Sequence, residues 1–279
     1  MCVPGTIETV RARVEEEGLP KLDRRTALLG AAGAAVAAAF PGRALGAKLP
    51  TNRLQDLSHE FREGFPGFLG APSALDRQTA VTIPANGFYG QVWTMWEHIC
   101  THMDVPAHFI EGGRTSPELE LDELIAPIAV VDISKRVARE PDTVVTPLDL
   151  AWFERRHGRI PSGAVVAMYS GWEARVGSAD AYRNTDATGT MRFPGFGKDA
   201  VEWLLERRRI RGIGVDTMSL DNGSSSTFDA HVTVLAADRY GVENLRNLRK
   251  LPPRGATVFL GLIPWREGSG GPCRAFASV

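Results

Sequence analysis

Pro127-Ile-Ala-Val-Val-Asp-Ile133 is a short, nearly unbroken apolar run, and Ala164-Val-Val-Ala-Met-Tyr169 repeats its character. Neither alternates with polar residues, so each reads as a strand buried on both faces. Between them, Thr146-Pro147-Leu148-Asp149 supplies an N-cap, a proline at the first helical position and an acid in the first turn. Gly158 stands where a C-terminal glycine belongs, and the spacing predicts a helix over Pro147–His157.

The same signals continue outward from this strand–helix–strand unit. Val201, Leu204, Leu205 and Arg208 follow helical spacing within Lys198–Arg208, with Trp203 beside them. Gly212–Asp216 and Ala256–Ile263 read as further strands, the second being the last strong one. Upstream, Leu54–Ser58 reads as an entry strand and Gln91–Trp96 has the β-branched and aromatic character of another. Strands and helices alternate without a strict βαβ rhythm. The expected class is therefore α/β, or α+β, with a mixed sheet and flanking helices. No linker, repeat or composition shift follows Leu49, so one domain is expected over residues 48–279.

Composition narrows the function. The 279 residues are 43% hydrophobic and 23% charged, enough apolar matter for a real core. Thirty-two basic against thirty-three acidic residues give a formal net charge of −1, with no global pull towards nucleic acid or anionic lipid. Three cysteines, Cys2, Cys100 and Cys273, fit no disulfide framework or zinc finger, and the last two are expected as free thiols. Such a chain suits an enzyme or a small-molecule binder.

The first 47 residues read separately. Arg24-Arg25 precede the uncharged Ala/Gly-rich run Ala27–Phe40, then Pro41-Gly42, then the small residues Ala44-Leu45-Gly46-Ala47. The run is shorter than the ~20 apolar residues that cross a bilayer. Paired arginines, a weakly apolar stretch and a small-residue site have the order of a twin-arginine export signal. Export from the cytoplasm is expected, with no membrane segment in the mature chain. An Ala-rich helix on a cytoplasmic protein is the alternative.

The chemistry concentrates in Trp96-Glu-His98-Ile-Cys-Thr-His102-Met-Asp104-Val-Pro-Ala-His108-Phe109, which holds three of the six histidines. Imidazole nitrogens and carboxylate oxygens are the ligands of Zn²⁺, Mn²⁺ and Fe²⁺, and a site needs several converging. Thr101, Val105 and Pro106 oppose a helix here, so a tight loop is expected to gather the ligands. Asp104 faces the same side as His102 if the backbone between them is extended. His59 and His157 read as ordinary, partly buried or surface residues. Ser219 and Ser224–Ser226 lack the GxSxG setting of a serine nucleophile.

The pattern His98-x-x-Thr101-His102-x-Asp104-x-Pro106-x-His108-Phe109 resembles the signature of the cyclase family of metal-dependent hydrolases, which includes bacterial kynurenine formamidases and isatin hydrolases. Asp56–His59, Gly214–Asp221, Asp229-Ala230-His231 with Gly241–Leu245, and Glu267–Arg274 resemble its other segments in the expected order. The resemblance implies a single swivelling β/β/α-type domain. It implies His98, His102 and Asp104 as metal ligands, His231 and Glu243 as completing a second metal position, and His108 as catalytic acid/base. Zn or Mn would be bound, one or two ions per subunit, and the family's members are commonly homodimers. Read without the resemblance, Glu243 is a solvated helix-end acid. One departure stands out: Cys100 occupies a position where the family usually has glycine, so its thiol could narrow the pocket, touch the metal or point away.

The expected activity is hydrolysis of a small amide by metal-activated water, with N-formylkynurenine the nearest named substrate. Two readings compete with it. One is an exported hydrolase that opens a cyclic lactam, imide or lactone, favoured by the export signal because tryptophan breakdown is ordinarily intracellular. The other is a non-catalytic metal or ligand binder, opposed by the presence of His108.

Overall fold

The PIAVVDI and AVVAMY runs pair side by side as parallel strands, from Ile128 opposite Val165 to Asp132 opposite Tyr169. Their expected burial on two faces holds. Ala129, Val131, Val166 and Met168 enter one core, while Ile128, Val130, Val165 and Ala167 enter another. Alternate side chains of a strand leave opposite faces, so a strand between two cores must be apolar at every position.

The computed structural model describes residues 53–68 and 75–279, and the expected export segment, residues 1–47, lies outside them. The elements in chain order are β1 (Leu54–Asp56), β2 (Leu75–Val81), β3 (Gly90–Met95), β4 (His102–Asp104), β5 (Ile125–Asp132), β6 (Val144–Val145), α1 (Pro147–His157), β7 (Val165–Tyr169) and β8 (Gly195–Phe196). They continue with α2 (Lys198–Arg208), β9 (Gly212–Val215), α3 (Asp229–Ala236), β10 (Tyr240–Glu243), β11 (Ala256–Leu262) and β12 (Gly270–Ser278), besides shorter helical turns.

The chain forms two compact units. The described part of the smaller one, Asp76–Thr94, is a hairpin in which β2 and β3 make a two-stranded sheet of their own. The larger unit, Pro50–Leu75 with Met95–Val279, carries the α/β fold. Its sheet runs β1-β12-β11-β5-β7-β9-β10-β4, and β4 also pairs with β12. Seven strands therefore close into a barrel, with β1 lying outside along β12. The mixed sheet expected from the sequence is present: β5, β7, β9 and β10 run parallel, whereas β11, β12 and β4 pair antiparallel with their neighbours.

Both predicted helices have the bounds expected of them. At α1, Asp149 accepts hydrogen bonds from the Thr146 amide and hydroxyl, while its own amide donates to Thr146 Oγ1. This reciprocal cap is worth about 1 kcal/mol. Arg136 holds the same carboxylate through two bonds of 2.7 and 2.8 Å. Leu150 and Phe153 of α1, Val201 and Leu204 of α2, and Val234 and Leu235 of α3 cover the outer face of the sheet. Met103, Tyr240, Val242, Val258, Leu260, Ala275 and Ala277 belong to the core on its other face. Among the described residues, no helix is long and apolar enough to cross a membrane.

Candidate metal centre and active site

His102 and Asp104 lie two residues apart on β4, so their side chains leave one face while Met103 between them enters the core. The expectation of a tight loop around these residues needs correction. Residues 97–101 form turns and bends, but His102–Asp104 is extended and paired on both sides, and only Pro106–His108 coils into a helical turn. The pairing partners explain why a strand persists. β10 places Glu243 opposite His102 and Gly241 opposite Asp104, and β12 places Gly270 opposite Asp104. Glycine on both flanks leaves the Asp104 carboxylate room. A Cβ at position 241 would stand 3.1 Å from Asp104 Oδ2, and one at position 270 would strike the Met103 carbonyl and stand 2.7 Å from His98 Cε1.

Glu243 is not the solvated helix-end acid of its isolated reading. It sits on β10 at 4% exposure and accepts a 2.9 Å bond from the Leu220 amide. His231 arrives from α3. Asp221 accepts from the amides of Ala230 and His231 at the start of that helix and from His231 Nδ1 at 2.6 Å, so one carboxylate both caps the helix and orients the ring. His102 Nδ1 donates to the Cys100 carbonyl at 2.9 Å. In both rings the outer nitrogen donates outward, so Nε2 is the atom turned inward, where a bound cation would take the place of its proton.

The inner atoms converge. His102 Nε2 lies 3.3 Å from both Asp104 Oδ1 and Glu243 Oε2, and His231 Nε2 lies 3.1 Å from Glu243 Oε1 and 3.6 Å from Asp104 Oδ2. His98 Nδ1 is 2.7 Å from Asp104 Oδ1. Two ligand groups result among the described residues, His98–Asp104–His108 and His102–Asp104–Glu243, each with donor atoms within 4.8 Å of one another. Five of the six residues singled out in the sequence fall in these groups, Asp104 in both, and the sixth, His231, adjoins them through Glu243 and Asp104.

The electrostatics of this cluster call for positive charge. Burial opposes ionisation of His102, yet the Asp104 and Glu243 carboxylates outweigh it and push the imidazole up to about 9. His231 is likewise raised against burial by its bonds with Asp104, Asp221 and Glu243. Glu243 is pushed up by burial and by the charge of Asp104. Asp104 Oδ2 is buried without a hydrogen-bond partner. A divalent cation fits this donor set: it satisfies the orphaned oxygen, takes the inward lone pairs and offsets two buried carboxylates. His/carboxylate ligation admits zinc and manganese equally.

His108 follows the helical turn after Val105 and stacks on His98, ring centroids 3.7 Å apart. Burial pushes its pKa down to about 4. Beside it, Phe109 and Phe228 lie 4.9 and 5.8 Å from the His231 ring, and Phe68 lies 5.8 Å from Phe228. Phe68, from the loop that follows β1 and also carries Phe61 and Phe65, therefore joins a wall next to the imidazoles. Phe65 of the same loop packs with Ile99 and Cys100 instead.

Cys100 adopts a left-handed backbone (φ 56°), the conformation that glycine accepts without strain. Its Sγ donates to the Glu60 carbonyl at 3.6 Å, burial pushes the thiol up to about 12, and it joins neither ligand group. The thiol points away. Cys100 and Cys273 are both free, as expected. His59 and His157 are half-buried.

Sequence reasoning missed the residues that hold the ligands. Asp221 orients His231, Asn244 beside Glu243 accepts from Tyr182 Oη at 2.7 Å, and Ser269 with Glu97 adjoins His98. Asp221, Asn244 and Ser269 lie inside segments already noted for their resemblance and Glu97 directly precedes His98, but spacing alone carries no sign of their roles.

The Cyclase family model matches residues 55–222, and the chain belongs to that family. It is 35% identical over 201 residues to the isatin hydrolase of Roseibium aggregatum, covering 69% of this chain and 76% of the relative. To the kynurenine formamidase of Erythrobacter litoralis it is 28% identical over 225 residues, 80% of this chain and 92% of that one. The solved isatin hydrolase A of Ralstonia solanacearum superposes with a TM-score of 0.76 at 32% identity, covering 92% of this chain and 97% of that structure.

Proposed function

We propose that this chain hydrolyses the carbon–nitrogen bond of a small cyclic amide fused to an aromatic ring, a lactam or imide of the isatin type. The two ligand groups and the hydrolase relatives support metal-assisted hydrolysis in general. The observation that carries the finer reading is the 35% identity to an isatin hydrolase, against 28% to a formamidase. The Phe109–Phe228–Phe68 wall beside His108 and His231 suits a flat aryl substrate. Cleavage of an aryl formamide such as N-formylkynurenine is the second reading, supported by the formamidase likeness over 80% of the chain.

In this mechanism His98, His102, Asp104, His231 and Glu243 would hold the cation. When bound, a divalent ion would supply Lewis acidity, lowering the pKa of a coordinated water from far above the physiological range to near 7 and polarising a carbonyl. His108 is kept neutral at pH 7 by burial, so its free nitrogen can take the proton of the attacking water. It returns that proton to the departing nitrogen, which an amide needs because an amide anion is a very poor leaving group. In a lactam the nitrogen stays tethered. The carbonyl carbon gains the water oxygen, the C–N bond breaks, and one ring-opened amino acid results.

Rates on isatin and on N-formylkynurenine with metal-loaded protein separate the two readings. A kcat/KM at least ~10-fold higher for isatin is expected, a difference of about 1.4 kcal/mol in transition-state binding. Preference for the formamide would reverse the assignment. His108→Ala should retain bound metal while turnover falls about 10²-fold or more. Unchanged turnover would remove His108 from the mechanism.

Export and homodimerisation complete the proposal. The paired arginines Arg24-Arg25 and the small residues Ala44–Ala47 support the first, and the mature N-terminus found after expression in a host with twin-arginine transport tests it. Light scattering tests the second, a monomer at micromolar concentration being the contrary result.

A further inference from the structure

Outside the ligands themselves, a three-residue chain reaches His98 from the protein's half-buried rim. Ser269 Oγ lies 2.6 Å from Glu97 Oε2 and 2.9 Å from His98 Nε2, and the Ser269 amide points at the same Glu97 oxygen, 3.3 Å away. The backbone around Ser269 is fixed independently of its side chain. Its carbonyl accepts from the Val105 amide at 3.1 Å, and the carbonyl of Gly268 accepts from Ser116 at 2.9 Å.

The Ser269 hydroxyl donates to the Glu97 carboxylate at 2.6 Å. The serine oxygen then has only lone pairs left for His98, and Nε2 of that ring must donate to it. When a cation is bound, His98 Nδ1 presents its lone pair to that cation beside Asp104 Oδ1, 2.7 Å away; without one, a ring proton bridges the same two atoms. His98 is thereby set in the same way as its companions: His102 by the Cys100 carbonyl and His231 by Asp221.

We propose that Ser269, aligned by Glu97, is a positioning residue that locks His98 in the Nε2–H tautomer and so sets the affinity of the His98–Asp104 position for a divalent cation. The inference rests on the metal-hydrolase reading above and deepens it. Outer partners of a metal-bound histidine fix ring orientation and raise ligand basicity, and losing one typically weakens metal binding 10–100-fold.

The test is the dissociation constant of Zn²⁺ and of Mn²⁺, measured by chelator competition on the full chain, for the wild type, Ser269→Ala, Ser269→Thr and Glu97→Ala. Ser269→Ala and Glu97→Ala are expected to weaken binding about 10–100-fold. Ser269→Thr keeps a hydroxyl and should restore binding to within about 3-fold. At saturating metal, turnover of Ser269→Ala should return towards the wild-type value, so the metal concentration for half-activity moves more than kcat does. Thermal unfolding of the metal-free proteins should remain alike, since the Val105–Ser269 backbone bond survives each change. Wild-type affinity in Ser269→Ala, or no rescue by threonine, overturns the positioning role while leaving the hydrolase reading intact. A wild type that binds neither ion overturns both.

Discussion

Asp104→Asn is expected to abolish hydrolysis, with turnover falling about 10³-fold or more. Asp104 is the one side chain common to both ligand groups, so the change strips an anionic ligand from each position at once. Lewis-acid stabilisation is worth several kcal/mol in the transition state, and about 4 kcal/mol corresponds to 10³ in rate. Asparagine is nearly isosteric and fits between Gly241 and Gly270, so the strand pairing that carries the residue should survive. The loss should also be visible without substrate. A ligand that binds only the folded state stabilises by about 2.7 kcal/mol at a hundred times its dissociation constant, so wild-type protein should show a thermal shift with zinc or manganese. Asp104→Asn should show little of it. Full activity together with an unchanged metal-induced shift would remove Asp104 from the centre.

The second large effect falls on stability. Asp216→Ala is expected to cost about 3–5 kcal/mol, or roughly 10 °C in Tm for a domain of this size. The Asp216 carboxylate is wholly buried just beyond β9, and it accepts from the amides of Ser170, Gly171 and Trp172 and from the Ser170 hydroxyl at 2.5–3.1 Å. Ser170 immediately follows β7, so one side chain ties together the carboxyl ends of two parallel strands. Alanine would leave the amides of Ser170 and Gly171 and the Ser170 hydroxyl without that acceptor, while the Trp172 amide keeps only its 3.3 Å contact with Ser170 Oγ. Tyr182 Oη extends the tie, donating to Asn244 Oδ1, next to Glu243, at 2.7 Å and lying 3.2 Å from the Asp216 carbonyl. Activity should therefore fall along with stability. Urea unfolding of the two proteins measures the difference, and a loss under about 1 kcal/mol would mean the surrounding loop finds other acceptors.

The parts of the fold legible in the sequence were those whose local chemistry agrees with their tertiary role. α1 declares itself through Thr146, Pro147, Asp149 and Gly158, and β5 and β7 through apolar runs that only a two-sided core explains. β12, the longest strand among the described residues, was noted only in part, through the resemblance of Glu267–Arg274, and not as a strand. It opens on Gly270-Gly271-Pro272, which argues against a strand, while its alternation is carried by the small residues Cys273, Ala275 and Ala277. A barrel seam needs such small residues where two other strands press against it. β4 is three residues long, and β10 contains a glycine and an acid, so neither offers a periodicity to read.

The site divides similarly. The His98–His108 cluster stands out because unlike ligand types are crowded within a few residues. Glu243 could not be recognised from its own surroundings, because its burial is created by the pairing of β10 with β4. Asp221, Ser269 and Glu97 act by hydrogen bonds to rings far along the chain, and no local pattern encodes such a bond. Phe68 and Phe65 illustrate the same limit: three residues apart in one loop, one joins the wall beside the imidazoles and the other the core.

The most direct test of a cation held among these imidazoles and carboxylates is the metal content of the purified chain set beside its hydrolytic rate. One or two equivalents of zinc or manganese per chain are expected, with isatin hydrolysis lost on chelation and restored by adding either ion back. Undiminished hydrolysis with less than about a tenth of an equivalent of any divalent metal would contradict it.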